Sequence, residues 1–425
     1  METVPLLEGV FRARALVFGS LPPSGRDIDL LVQPGEIEHL AQALTRSGFV
    51  RRGTSFVSFA SHPPVPIDLI PADSWDLPAE ELRLLFDEAV PLPGGRHLVR
   101  PASHHALLIL ARRAVRGGSL EDRFRARVDA ALAEDPLAFA IARERAAAWG
   151  AGGSLALLER AHARGEDPST LARATAIAAE LRIRGRSPAE VAKGTARGLL
   201  RRPRRGFVIA LSGLDGAGKS TQGRMLADSL SQLGYEPKLE WPAIDAPSRV
   251  MALLTRVGKG TIKVLARTRG PGGGGEAVAD PARALRQRSE LVTFAWSSLY
   301  ALRGAGRVAR ATWPHVLGGR VAICDRYLLD TRVFLRHRYG EDRRYRLQLG
   351  LIRLLSPRPR AAFLLVVSPE TATARQPERT VAENAERTRL YLDAAAELGF
   401  ERVNGEAAEE EVAAELARRV WLALS

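Results

Sequence analysis

At 425 residues and 46% hydrophobic content, the chain is long enough to bury two ordinary cores, so one compact unit is not expected. The formal charge of +14 is carried almost wholly by arginine, since all but five of the 62 basic residues are Arg; with few aromatics interleaved, this reads as a solvated Arg-rich surface, and nucleic acid is not an expected partner. Cys324 is the only cysteine, which excludes an internal disulfide and any site of several thiolates, and the lack of a long apolar run or apolar leader predicts a cytoplasmic chain without membrane contact.

Residues 1–100 alternate short apolar runs with turn signals. Strands are predicted at ARALVFGS, DIDLLV and VPIDLIP, with a helix over residues 37–47, and together they predict a small mixed α/β unit. Gly19 and Ser20 follow the first strand. Alternation puts Asp27 and Asp29 on one face of the second, about 6 to 7 Å apart, and Asp68 comes from a neighbouring strand. Three such carboxylates suit Mg²⁺ held on a nucleotide by Asp27 and Asp29, with Asp68 activating an acceptor hydroxyl and the Gly19-Ser20 turn holding triphosphate. Strand-end aspartates beside a turn serine are the plain structural alternative. The pattern hG[GS]…DhDh with a later hDh resembles the nucleotidyltransferase superfamily over about residues 10–75, and the resemblance implies Mg²⁺-dependent nucleotidyl transfer. Six residues separate Ser20 from Asp27, fewer than that superfamily usually has.

Residues 101–200 turn Ala-, Leu- and Arg-rich with helical spacing, broken at Gly117-Gly118, residues 150–153 and Asp167-Pro168, and predict a helical extension. His104 and His105 open an apolar helix. With no partner at metal-ligand spacing, they read as helix-start residues. The charged, proline-bearing stretch RRPRRG over residues 201–206 is the predicted linker to a second domain at 207–425.

Beyond it, continuous apolar strands FVIAL, VAIC and AAFLLVV alternate with helical segments, as a parallel sheet covered by helices on both faces requires. RGPGGGG, over residues 269–275, reads as a disordered surface insertion. Between FVIAL and the helix KSTQGRMLADSLSQLG stands GLDGAGKS, which fits GxxxxGK[ST] in its proper strand-to-helix context. The loop comprising Gly213, Asp215, Gly216, Ala217 and Gly218 would close its amides on phosphate oxygens. Lys219 would reach the β and γ phosphates, and Ser220 would bind Mg²⁺. Asp325 ends VAIC and suits the same metal, while Arg326 suits a substrate phosphate. Arg375 and Arg379 lie in a polar segment before the helix AENAERTRLYLDAAAEL and read either as solvated surface or as a lid that neutralises charge on a transferred phosphoryl group.

ALSGLDGAGKSTQ, then VAICDRY, LLVVSPETATAR and ERVNGEAAEEEVAAEL resemble the thymidylate kinase family in order and approximate spacing, over about residues 206–425. The resemblance implies a P-loop α/β fold, ATP and Mg²⁺ as cofactors, a nucleoside monophosphate acceptor with dTMP first, and a homodimer. By it Gly213, Gly216, Gly218, Lys219, Ser220 and Thr221 hold ATP phosphates and Mg²⁺, Asp215 approaches the acceptor, Asp325-Arg326 form the family's DR pair, and Val403-Asn404-Gly405 lie beside the adenine. No basic side chain lies between Gly213 and Gly218, which resembles the branch that takes its catalytic arginine from the lid. Ser212 stands where the family has an acid, EWPAIDAPSR replaces the acceptor segment and leaves Arg249 as a phosphate ligand there, and Ser298 stands near the place of a nucleotide-gripping arginine. A second function class stays open: a nucleotidyltransferase whose P-loop half only senses nucleotide.

Overall fold

The computed structural model describes residues 3–12, 14–17, 27–74, 77–115, 122–165, 169–183, 206–242, 290–339 and 345–424. Gly19, Ser20, Arg249, the RGPGGGG segment and most of the predicted linker lie outside them. By its contacts the chain divides into two units, Met1–Ser58 with Val65–Arg202 and Phe59–Pro64 with Pro203–Ser425. Among the described residues, no helix is long and apolar enough to cross a membrane.

The first unit opens with α1 (Thr3–Val10), β1 (Ala15–Val17), β2 (Ile28–Val32), α2 (Ile37–Arg46), β3 (Val50–Arg52), β4 (Ser55–Ser58) and β5 (Val65–Pro71), followed by α3 (Ala79–Asp87), β6 (Val90–Pro91) and β7 (Leu98–Arg100). Its mixed sheet has the order β3-β4-β5-β2-β1-β7-β6. Strand alternation decides what each face carries. Ile28 and Leu30 of β2 enter one core with Leu7, Phe11, Leu40 and Leu44, while Leu31 enters a second with Leu85 and Phe86 of α3. Asp29 therefore shares the face of Leu31.

The helical region contains α4 (Ser103–Val115), α5 (Asp122–Glu134), α6 (Ala138–Ala148), α7 (Gly152–Arg164) and α8 (Thr170–Ile183). Ala138, Ala142 and Ala146 repeat every fourth residue and are fully buried, so α6 presents a smooth stripe that lets Leu107, Leu155 and Leu158 approach closely.

The second unit runs β8 (Phe207–Gly213), α9 (Lys219–Gln232), β9 (Pro237–Glu240), α10 (Glu290–Leu317), β10 (Val321–Asp325), α11 (Leu328–Tyr339), α12 (Arg346–Leu355), β11 (Ala361–Val366), α13 (Pro369–Arg375), α14 (Val381–Leu398), β12 (Glu401–Asn404) and α15 (Glu409–Ala423). The five strands are all parallel, in the order β12-β11-β8-β10-β9. Central β8 is buried from Val208 onward, as a strand covered on both faces must be. Helices α9 and α15 pack together on one face, and α10, α11 and α14 on the other. This mixed α/β architecture is consistent with a P-loop NTPase-like domain. β8 extends two residues past FVIAL and β10 one past VAIC, because the ladder continues to the pairs Leu365↔Gly213 and Asp325↔Leu211. Arg375, expected in an irregular segment, closes the helix α13, which Ser368 caps by accepting from the Thr371 amide.

Candidate functional site

The loop between β8 and α9 folds as its glycines dictate. Gly213 (φ 149°) and Gly216 (φ 88°) hold backbone angles costly for other residues, and a Cβ on them would come within 2.6 Å of the Leu365 carbonyl and 2.8 Å of the Ala372 carbonyl. The loop thereby lies directly on β11 and α13. Gly405 closes it from the far side, its amide donating to the Val366 carbonyl at 2.8 Å, so residues 403–405 flank the loop near Ala217.

Lys219 begins α9, is 6% exposed, and donates from Nζ to the Gly213 and Leu214 carbonyls at 3.0 and 2.7 Å. Burial pushes its ammonium below the ordinary range, while Asp330, Asp325 and Asp215 pull it back. Ser220 donates to Asp325 Oδ2 at 2.5 Å, and Asp325 Oδ1 is buried with no hydrogen-bond partner. Thr221 follows in the first turn of α9.

Asp215 gathers the arginines. Arg326 and Arg379 each donate to its carboxylate, Arg387 Nη1 lies 3.5 Å from Oδ2, and Arg375 donates to the neighbouring Gly216 carbonyl at 3.3 Å. Arg326 adopts φ 80°, in the left-handed region that a long side chain rarely occupies, with its amide tied to the Leu211 carbonyl at 2.9 Å. That turn aims the guanidinium back over the loop. Burial by itself would raise the Asp215 carboxyl, but the charges of Arg326, Arg379 and Lys219 hold it at about 2.

A lowered carboxyl contributes stability above its unfolded value near 3.8, and that contribution is lost as pH falls from there through about 2. Asp215→Asn is therefore expected to be less stable than the parent at pH 7, by on the order of 2 kcal/mol. The gap should narrow in urea melts recorded from pH 5 downward.

Two contributors escaped the sequence reading. Arg387 sits inside α14, one of several arginines on a polar helix, and nothing in its local pattern sets it apart. Asp330, 7% exposed on α11, accepts from Ser212 Oγ at 2.6 Å, the Tyr327 amide at 2.9 Å and the Tyr391 hydroxyl at 2.9 Å. A carboxylate from another element thus lies against Ser212, the residue just before the first glycine. Ser298 accepts from Gln348 Nε2 at 2.9 Å, a link between α10 and α12.

In the first unit, Asp29 and Asp68 are register partners across β2 and β5, and Asp27, Asp29 and Asp68 bring carboxylate oxygens within 4.8 Å of one another. Ser55 on β4, opposite Asp68, donates to its carboxylate, a contact the sequence reading did not include. His104 and His105 stand in the first turn of α4 as expected, but the fold does bring partners to them. His104 Nε2 lies 2.8 Å from Glu88 Oε2, and His105 Nε2 lies 2.9 Å from Glu81 Oε1. Both glutamates come from α3 or the residue that follows it, too far along the chain for motif spacing to reveal.

The second unit thus sets a glycine loop at the carboxyl ends of a parallel sheet and rings it with arginines. Comparison with known proteins points the same way. The chain is 29% identical over 161 residues to the probable thymidylate kinase of Pyrococcus horikoshii, covering 38% of this chain and 65% of that protein. It is 27% identical over 186 residues to the thymidylate kinase of Ruegeria pomeroyi, covering 42% and 71%. To the probable thymidylate kinase of Thermococcus kodakarensis it is 32% identical over 126 residues, covering 30% and 51%. The chain thus spans between about half and seven-tenths of the length of these relatives, and it carries a thymidylate kinase-like region. No family model matches the chain.

Proposed function

We propose that the second unit transfers the γ-phosphoryl group of ATP to a nucleoside monophosphate, with dTMP the leading acceptor. The observation that carries this reading is the convergence of Lys219, the Ser220–Asp325 pair and four arginines on one glycine loop. Loop amides and the α9 N-terminus would hold the donor phosphates, with Lys219 over the β and γ groups. The oxygen pair of Ser220 and Asp325, with Oδ1 of the latter unsatisfied, fits a hard divalent cation. Mg²⁺ held there would supply charge neutralisation for the donor phosphates. Asp215 keeps Arg326, Arg379 and Arg387 folded over the loop as a counter-ion, and entering phosphates compete for the same guanidinium forks. Arg326 would then bear on the acceptor phosphate, and Arg375 and Arg379 on charge developing at the transferred group. The names of the relatives support dTMP as the first acceptor to try.

The test is incubation of the full chain with γ-labelled ATP, Mg²⁺ and a panel of nucleoside monophosphates. Label in a diphosphate product, highest with dTMP, is expected; hydrolysis alone, or label in none of the panel, would rule the reading out.

A second activity rests on the aspartate cluster of the first unit. Its oxygens lie close enough to share cations, which favours Mg²⁺-dependent nucleotidyl transfer with Asp68 as base, and a P-loop half that senses nucleotide is the corresponding alternative for the whole chain. Transfer of α-label from ATP to an acceptor should fall at least about a hundredfold in Asp29→Asn. An unchanged rate removes this reading and leaves the kinase reading standing.

A further inference from the structure

The first unit holds a third polar cluster that neither activity uses. Glu81 lies on α3, Glu88 just beyond it, His104 and His105 open α4, and Arg145 belongs to α6. His105 is 2% exposed, and its Nε2 lies 2.9 Å from Glu81 Oε1, itself on a side chain 6% exposed. With Glu81 ionised, its oxygen accepts the ring proton from Nε2. The Nδ1 lone pair is therefore bare. It is buried, makes no hydrogen bond, and faces Glu88 Oε2 at 3.8 Å.

Two electron-pair donors thus face each other across 3.8 Å with no proton between them, an arrangement that a cation would bridge. His104 Nε2 lies 2.8 Å from the same Glu88 oxygen and becomes a third donor once its ring proton sits on Nδ1. One atom from each of Glu88, His104 and His105 falls within 4.8 Å of the others, the span that a common ion of ordinary bond length can bridge. Arg145 Nη2 holds the other Glu88 oxygen at 2.6 Å, which fixes the carboxylate and leaves Oε2 for the ion. Glu81 behind His105 repeats the arrangement by which carboxylates orient metal-bound imidazoles.

We propose that Glu88 Oε2, His104 Nε2 and His105 Nδ1 form a binding site for a first-row transition-metal dication of the Zn²⁺ class, with a solvent molecule completing its shell. Two imidazoles and one carboxylate select such an ion over Mg²⁺, which prefers an all-oxygen shell. On binding, His104 keeps one ring proton, moved to Nδ1, and the cation takes its place between Nε2 and Glu88. Glu88, at 32% exposure, gives the ion a route in from solvent. The ion would tie the strand-rich part of this unit, through α3, to the helical part, through α4.

The full-length chain, stripped with a chelator, would be titrated with Co²⁺ in millimolar Mg²⁺, so that sites preferring the hard ion stay filled. One equivalent of Co²⁺ is expected, with the visible absorption of a nitrogen-ligated ion, and X-ray absorption of the Zn²⁺ form should show the scattering of two imidazoles. His104→Ala and Glu88→Gln should weaken uptake at least about a hundredfold and Glu81→Gln about tenfold or more. No stoichiometric uptake, an all-oxygen shell, or wild-type affinity in His104→Ala and Glu88→Gln would each overturn the site. The wild-type titration and spectrum decide the matter even if a variant fails to fold.

Discussion

Lys219→Met is expected to lower ATP-dependent phosphoryl transfer about a thousandfold, equivalent to about 4 kcal/mol of barrier, while the chain stays folded. Methionine keeps most of the aliphatic volume of a side chain that is 6% exposed and removes only its charge. The ammonium is held on the carbonyls of Gly213 and Leu214, at the N-terminus of α9, where first-turn amides lack intrahelical acceptors. Its partial desolvation makes it a stronger partner for phosphate than a surface lysine. The measurement is single-turnover transfer from γ-labelled ATP at saturating nucleotide, with a urea melt to confirm the fold. Loss of rate with unchanged donor affinity would place Lys219 on the transition state, whereas loss of affinity alone would make it a ground-state anchor. Full activity would remove the second unit's assigned chemistry.

Asp330→Ala should be the most destabilising single change considered, at about 3–5 kcal/mol. The carboxylate is buried, accepts three hydrogen bonds, and stands among the charges that balance Lys219. Its removal strands the Ser212 hydroxyl, the Tyr327 amide and the Tyr391 hydroxyl together, and leaves the lysine with one counter-charge fewer in a dry setting. Burial already pushes the Asp330 carboxyl upward. Asp330→Asn should lose less, because the amide oxygen still accepts, although its NH₂ meets a donor on one side. Urea unfolding of both variants checks the order, and a smaller loss for Ala than for Asn would contradict the account.

The glycine loop was legible because its information is local. Three glycines, a lysine and a serine lie within eight residues, between a strand and a helix whose apolar positions announce them. Asp325 and Arg326 could be read from their place at the end of β10. Asp330, Arg387, Glu88 and Glu81 could not, since each acquires its meaning from an element distant in sequence and looks like ordinary helix or turn polarity where it stands. Arg379 and Asp215 were each singled out, but not their pairing: Asp215 contacts Arg326, Arg379 and Arg387 of the chain itself. In the first unit alternation placed Asp29, whereas Asp27, expected on the same strand, precedes β2 at Ile28 and joins the cluster from the bend before it. Ser55 was not legible, because only antiparallel pairing of β4 with β5 puts it opposite Asp68.

Central β8 pairs with β10 and β11, strands that begin more than a hundred residues later in the chain. As the polypeptide leaves the ribosome, FVIALSG emerges long before either neighbour exists, and an apolar segment with both edges open is a ready partner for other nascent chains. The second unit should therefore mature slowly, gain from chaperone protection during synthesis, and be the part that aggregates first when overproduced without it.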